Sequence, residues 1–100
     1  MTSETAHAAF DKAAHYLNIE IRKVPVKEDL RADVAAMKRA VDSNTICIVA
    51  SGPEYPFGNY DPINEISAIA KQWNIGMHAD CCLGSFVNGF AWEAGLSNTW

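Results

Sequence analysis

Ile75-Gly76-Met77-His78-Ala79-Asp80-Cys81-Cys82-Leu83-Gly84 is the stretch whose reading decides the fold. Its first half is apolar, closes on a carboxylate, and follows directly on an amphipathic helical pattern. Read as a buried strand, it carries Asp80 to its C-terminal end, where open α/β sheets place their ligands. A charge there needs a partner; the alternative is that Asp80 only caps the turn or helix that follows.

Working outward, Ile63, Ile66, Ile69, Ala70 and Trp73 share one face of a helix that ends near Asn74. Asp61-Pro62 supplies an N-cap followed by proline at the first helical position. Residues 51–60 form the long loop before it. Thr45-Ile46-Cys47-Ile48-Val49-Ala50 is apolar almost throughout, as a strand covered on both faces should be, with Cys47 a buried small hydrophobe. Asp33 can N-cap a helix with apolar positions Val34, Met37, Ala40 and Val41, stopped by Asp42-Ser43-Asn44. Residues 19–26 read as a strand, and the Arg22-Lys23 pair and Pro25 mark it as an edge. A first helix over residues 4–17 carries Ala6, Ala9, Phe10, Ala13, Ala14 and Leu17 on one face.

Helices alternating with strands imply an α/β fold with a mainly parallel sheet, because each crossover is long enough for the right-handed connection. Strand 46–49 should then pair in parallel with 75–80. The pattern opens inside a helix with no strand before it and closes on Ser97-Asn98-Thr99-Trp100. Residues 1–100 are therefore expected to be one piece of a larger domain, with a missing strand separating 19–24 from 46–49.

Composition narrows the function. The chain has 100 residues, 49% apolar and 20% charged, and a formal net charge of -4, which is ordinary for one globular domain. No basic run suits a phosphate backbone, so nucleic acid is not an expected partner. No apolar stretch approaches the ~20 residues of a membrane span, and the N-terminus lacks a signal-peptide layout, so the segment itself is expected to be soluble. Cys47, Cys81 and Cys82 are an odd set without framework spacing, which favours reduced thiols. A metal module using His78, Cys81, Cys82 and Cys47 is the rival of another class, but adjacent cysteines replace poorly the two-residue spacing of structural zinc sites. Neither a Gly-x-Gly-x-x-Gly nor a Walker loop supports a nucleotide-binding domain.

Four blocks, in order and with natural spacing, carry a family resemblance: Thr5-Ala6-His7-Ala8-Ala9-Phe10-Asp11-Lys12-Ala13-Ala14, Arg31-Ala32-Asp33-Val34, Gly58 with Asp61-Pro62-Ile63, and His78-Ala79-Asp80-Cys81-Cys82-Leu83-Gly84. Together they resemble the sphingosine-1-phosphate lyase family, within the fold-type I pyridoxal-phosphate enzymes and close to the group II decarboxylases. The resemblance implies part of the cofactor-binding large domain, with pyridoxal 5'-phosphate as cofactor. It implies a homodimeric carbon-carbon lyase that cleaves a phosphorylated long-chain base to a fatty aldehyde and phosphoethanolamine. A glutamate or aromatic amino-acid decarboxylase is the alternative, since His7 and Asp80 serve both chemistries.

By the same resemblance, Asp80 pairs with the pyridine nitrogen, His7 stacks on the cofactor ring, and Cys82 packs on the opposite ring face. His78 shares the sheet face of Asp80 and bonds a cofactor oxygen or the backbone. Without the resemblance, His7 would read as an exposed helix histidine, as His15 does. The family's Schiff-base lysine lies beyond these blocks; Lys12, Lys23, Lys27, Lys38 and Lys71 all precede Asp80, so no catalytic residue is assigned in this chain and it should be inactive alone. Phe57 stands where relatives commonly carry histidine in a Pro-His-Gly loop. The resemblance further implies the cytosolic face of the endoplasmic reticulum membrane for a eukaryotic enzyme, anchored through a segment outside this chain, or the cytoplasm for a bacterial one.

Overall fold

Cys47–Ser51 (β3) and Gly76–Asp80 (β4) pair in parallel, from Cys47 opposite Gly76 to Ser51 opposite Asp80, the register expected for the two apolar runs. The computed structural model describes residues 1–96; Ser97 to Trp100 lie outside the described residues. A second parallel ladder joins Thr2–Ser3 (β1) to Lys23–Val24 (β2). Met1 connects the two, its nitrogen donating to the Cys47 carbonyl at 2.8 Å and its carbonyl accepting from Val49 N–H at 2.9 Å. The spatial order is therefore β2, β1, β3, β4.

This corrects one expectation. The strand thought to be missing between residues 19–24 and 46–49 is present as Met1 to Ser3, too short to show an alternating pattern. Strand β2 does lie at the edge, but only Lys23–Val24 pairs, because its neighbour β1 is two residues long. Pro25 has no N–H for a ladder, and its carbonyl accepts instead from Asp33 N–H at 3.1 Å.

Helix α1 spans Ala9–Leu17, shorter at its start than the periodicity suggests. His7 Nδ1 accepts from Ala9 N–H at 3.0 Å and Ala6 N–H bonds to the Ser3 carbonyl, so residues 4–8 turn off the strand before the helix begins. Helix α2, Val34–Ala40, is N-capped as expected, Asp33 Oδ1 accepting from Ala36 N–H at 3.0 Å. Helix α3, Ile63–Trp73, ends at Asn74, and α1 ends at Asn18; both asparagines adopt the left-handed conformation that closes a helix. Helix α4 is Ser85–Phe90.

Asp61 does not cap α3. Its Oδ1 accepts from Ala32 N–H and its Oδ2 from Ser51 N–H, both at 2.9 Å. These are buried amides, and satisfying them outweighs an ordinary cap. Asp61 thus ties the end of β3 to the turn before α2.

The core lies on one side of the sheet. Ile48 and Ala50 point toward α2 and α3 and pack with Met37, Ile66 and Ile69. Cys47 and Val49 alternate to the other side, facing α1, which has no fully buried residue. The expected cover on both faces does not hold: on the α1 side Cys47 is only half-buried, and His78 in β4, a run read from the sequence as buried, is exposed. Among the described residues, no helix is long and apolar enough to cross a membrane.

Candidate functional site

At the top of β4 the Asp80 carboxylate is half-buried. Its Oδ1 accepts from Cys82 N–H at 3.1 Å, so it does organise the following turn. The other carboxylate oxygen has no hydrogen bond among the described residues. The Asp80 carbonyl accepts from Gly52 N–H at 2.7 Å, which locks the ends of β3 and β4 together. Capping and ligand binding are therefore compatible, each using a different oxygen.

His78, two residues earlier on the same face, meets the Phe10 ring edge-on, with centroids 5.9 Å apart. That contact identifies the face: His78 and Asp80 look toward the α1 side of the sheet. Among the described residues the His78 ring makes no hydrogen bond to the backbone, and its neighbour is the Phe10 ring. His7 sits just before α1, at the C-terminal edge of β1. Its Nδ1 is occupied as the acceptor from Ala9 N–H. The ring packs edge-on against Tyr55, centroids 4.9 Å apart. Cys82 is exposed, with its amide held by Asp80. His15 is exposed beside Tyr16.

Tyr55 belongs to the loop of residues 51–60, whose shape comes from two carboxylates: Glu54, which the sequence reading did not single out, and Asp61, which it read as a helix cap. Glu54 is buried and accepts from Phe57 N–H at 2.9 Å and Asn59 N–H at 2.8 Å. Phe57 itself is exposed, and Gly58 takes a positive φ of 75° that favours glycine. Burial pushes the Asp61 carboxyl above its ordinary value, opposed by the N–H groups of Ser51 and Ala32 and reinforced by the Glu54 charge. The sequence signal for Glu54 is weak, since an acidic residue in a loop ordinarily faces water, and that for Asp61 pointed to its own helix instead.

The five lysines lie elsewhere. Lys12 Nζ stands over the Tyr16 ring, Lys23 Nζ bonds Asp11 at 2.9 Å, and Lys71 is in the last turn of α3, at the opposite end from Asp80. Lys27 and Lys38 border a hollow of about 340 Å³ with Asp29 and Glu65. A larger cleft of about 550 Å³ opens between α1 and the lower half of the sheet, lined by Phe10, Leu17, Ile21, Cys47, Val49 and His78. Among the described residues no three His, Cys, Asp or Glu side chains converge as metal ligands.

The donor set at the strand ends suits a flat, cationic heteroaromatic acid. A carboxylate with one oxygen open favours a protonated ring nitrogen. An imidazole and a small thiol offer polarisable surface for a planar ring.

Comparison with known proteins identifies the family. The chain is 47% identical over 93 residues to the sphingosine-1-phosphate lyase of Oryza sativa subsp. japonica, covering 93% of this chain and 17% of the relative. It is 47% identical over 92 residues to sphingosine-1-phosphate lyase 1 of Mus musculus, covering 92% and 16%. The structure of a Burkholderia pseudomallei sphingosine-1-phosphate lyase superposes with a TM-score of 0.90 at 35% identity, covering 95% of this chain and 22% of that one. The chain thus spans about one sixth of the length of the curated relatives it matches. The α/β fold expected from the residues is the one these proteins share. The pyridoxal-dependent decarboxylase conserved domain matches residues 1–91, and the chain belongs to that family.

Proposed function

We propose that this chain is part of the cofactor-binding large domain of a pyridoxal-phosphate-dependent carbon-carbon lyase. Its substrate would be a phosphorylated long-chain base, split to a fatty aldehyde and phosphoethanolamine. The carrying observation is Asp80, a half-buried carboxylate at the end of β4 with one oxygen uncommitted, on the sheet face that α1 covers. The 47% identity to lyases of two kingdoms supports lyase chemistry over the alternative, a glutamate or aromatic amino-acid decarboxylase.

In this reading Asp80 holds the proton on the ring nitrogen of pyridoxal phosphate, His7 lies on one ring face, Cys82 on the other, and His78 reaches a cofactor oxygen. Bound there, the cofactor supplies an electron sink for the electrons released when the substrate bond breaks. The residues of this chain bind and orient it. The lysine that attaches it belongs to a segment beyond this chain, so the chain alone is inactive. The working enzyme is a homodimer, in a eukaryote at the cytosolic face of the endoplasmic reticulum membrane through an anchor outside this chain, and in a bacterium in the cytoplasm.

The test uses the full-length protein that carries this chain. Asp80→Ala should weaken pyridoxal-phosphate binding by about 10- to 100-fold, the scale of a charge-assisted hydrogen bond, and Asp80→Glu should recover part of it. The wild type should release a fatty aldehyde from a phosphorylated long-chain base and no carbon dioxide from glutamate or aromatic amino acids. Affinity indifferent to Asp80→Ala would remove the cofactor reading; decarboxylation without aldehyde would favour the alternative.

A further inference from the structure

Gly52 is held from both sides. Its N–H donates to the Asp80 carbonyl at 2.7 Å, and its carbonyl accepts from Asn88 Nδ2 at 2.9 Å. The other end of the same amide, Asn88 Oδ1, accepts from the Tyr60 hydroxyl at 2.6 Å. Tyr60 closes the loop that carries Tyr55 against His7, and Asn88 lies in α4, directly after the Cys81-Cys82 turn. One side chain therefore joins the two segments that bear the proposed cofactor contacts.

There is no slack in this joint. A Cβ at Gly84 would come within 2.2 Å of the Gly52 carbonyl oxygen and 2.1 Å of Asn88 Nδ2. The glycine lets the turn after Asp80 press onto the Gly52 peptide, and Asn88 holds it there with a donor and an acceptor used at once.

We propose that Asn88 is a positioning residue for the Asp80 carboxylate, acting with Tyr60 through the backbone of Gly52. The proposal rests on the reading of Asp80 as the cofactor's partner. Asn88 acts at one remove: it fixes the carbonyl of Gly52, the residue whose N–H fixes the end of β4. Losing the Gly52 bond frees the turn in which Cys82 N–H holds Asp80 Oδ1, so the open oxygen is no longer aimed. Asn88→Asp keeps an acceptor for Tyr60 but sets an oxygen against the Gly52 carbonyl. Tyr60→Phe removes a single donated hydrogen and leaves the ring in place.

The experiment titrates pyridoxal phosphate into the apo form of the full-length protein, followed by tryptophan fluorescence, with amide hydrogen exchange at Gly52 as a second readout. Asn88→Asp should raise Kd about tenfold and Tyr60→Phe about threefold, the range of one to two net hydrogen bonds. The double variant should be little worse than Asn88→Asp, as expected for groups that act as one unit. Exchange at Gly52 should quicken in both single variants while Ile48 and Ile66 stay protected. Asp80→Ala is the reference. If it weakens binding while Asn88→Asp and Tyr60→Phe stay within twofold of wild type, the positioning role is overturned and the site reading stands. If Asp80→Ala has no effect either, the site reading fails and takes this proposal with it. Should Asn88→Asp not fold, Tyr60→Phe decides alone: unchanged Kd and unchanged Gly52 exchange overturn the proposal.

Discussion

The two faces of the sheet are built to different standards. On the α2 and α3 side, Met37, Ile48, Ala50 and Ile66 are completely buried and Ile69 nearly so. On the α1 side a single helix without one fully buried residue covers the strands, and a cleft of about 550 Å³ remains beneath it. Leu17, Ile19 and Ile46 stay exposed at its margin. The closed face holds the chain together, whereas the open face carries His78 and Asp80. In an α/β protein a sheet face short of its own cover is where other structure or a ligand completes the packing.

The widest separation between the faces should come from truncating their side chains. Met37→Ala, at a site with no exposure, should destabilise by about 2–5 kcal/mol, while Leu17→Ala on the open face should stay within about 0.5 kcal/mol. Urea unfolding of both variants measures this, and equal losses would erase the distinction.

Next in size is the contact between the loop after β3 and the turn after β4. Gly84→Ala forces its new Cβ against the Gly52 carbonyl and should destabilise by about 1–3 kcal/mol, the usual range for overpacking. A thermal melt of Gly84→Ala indistinguishable from wild type would show that the joint has room to give.

Asp61→Asn comes close behind. An amide can accept from only one of the two N–H groups of Ala32 and Ser51, and its own NH2 faces the other, a loss of about 1–3 kcal/mol. The pH dependence carries a sign. Because the folded carboxyl titrates above the ordinary 3.8, the native state binds the proton before the unfolded chain does. This group's contribution to stability therefore falls as pH rises from 3.8 through the raised value, and is level above it. Stability measured across that range should lose this slope in Asp61→Asn; an unchanged slope would assign it to another group.

The smallest effect belongs to local capping on the closed face. Asp33→Ala removes the bond from Ala36 N–H and should cost about 1 kcal/mol, read from denaturant unfolding. A loss as large as that for Met37→Ala would mean that α2 depends on its cap more than on its packing.

Particular residues show how far the sequence could be read. Asp33 was legible as a cap because an N-cap needs only its own helix. Asp61, in an equally good capping position before Pro62, was not, since its two donors come from Ala32 and Ser51, distant along the chain. The β3 and β4 strands and their parallel pairing were legible from apolar runs joined by a helical crossover. Strand β1 was not, because three residues from Met1 to Ser3 show no period, and only hydrogen bonds to β2 and β3 make them a strand. Asp80 was singled out by its place in the pattern and by the family resemblance, His7 by the resemblance alone. Tyr55, Gly52 and Asn88 had no such signal, their roles arising from loops that meet in space.

The sequence by itself determined the alternation of helices and strands, the edge character of residues 19–26 and the strand-end place of Asp80, because periodicity and local turn chemistry act over a few neighbouring residues. The tertiary structure alone decided which face of the sheet is closed, that Met1 to Ser3 join the ladders, and that Gly52, Tyr60, Gly84 and Asn88 meet around the end of β4. Those outcomes depend on satisfying buried amides and excluding overlap between segments far apart in the chain, conditions that come into being only when the segments are brought together.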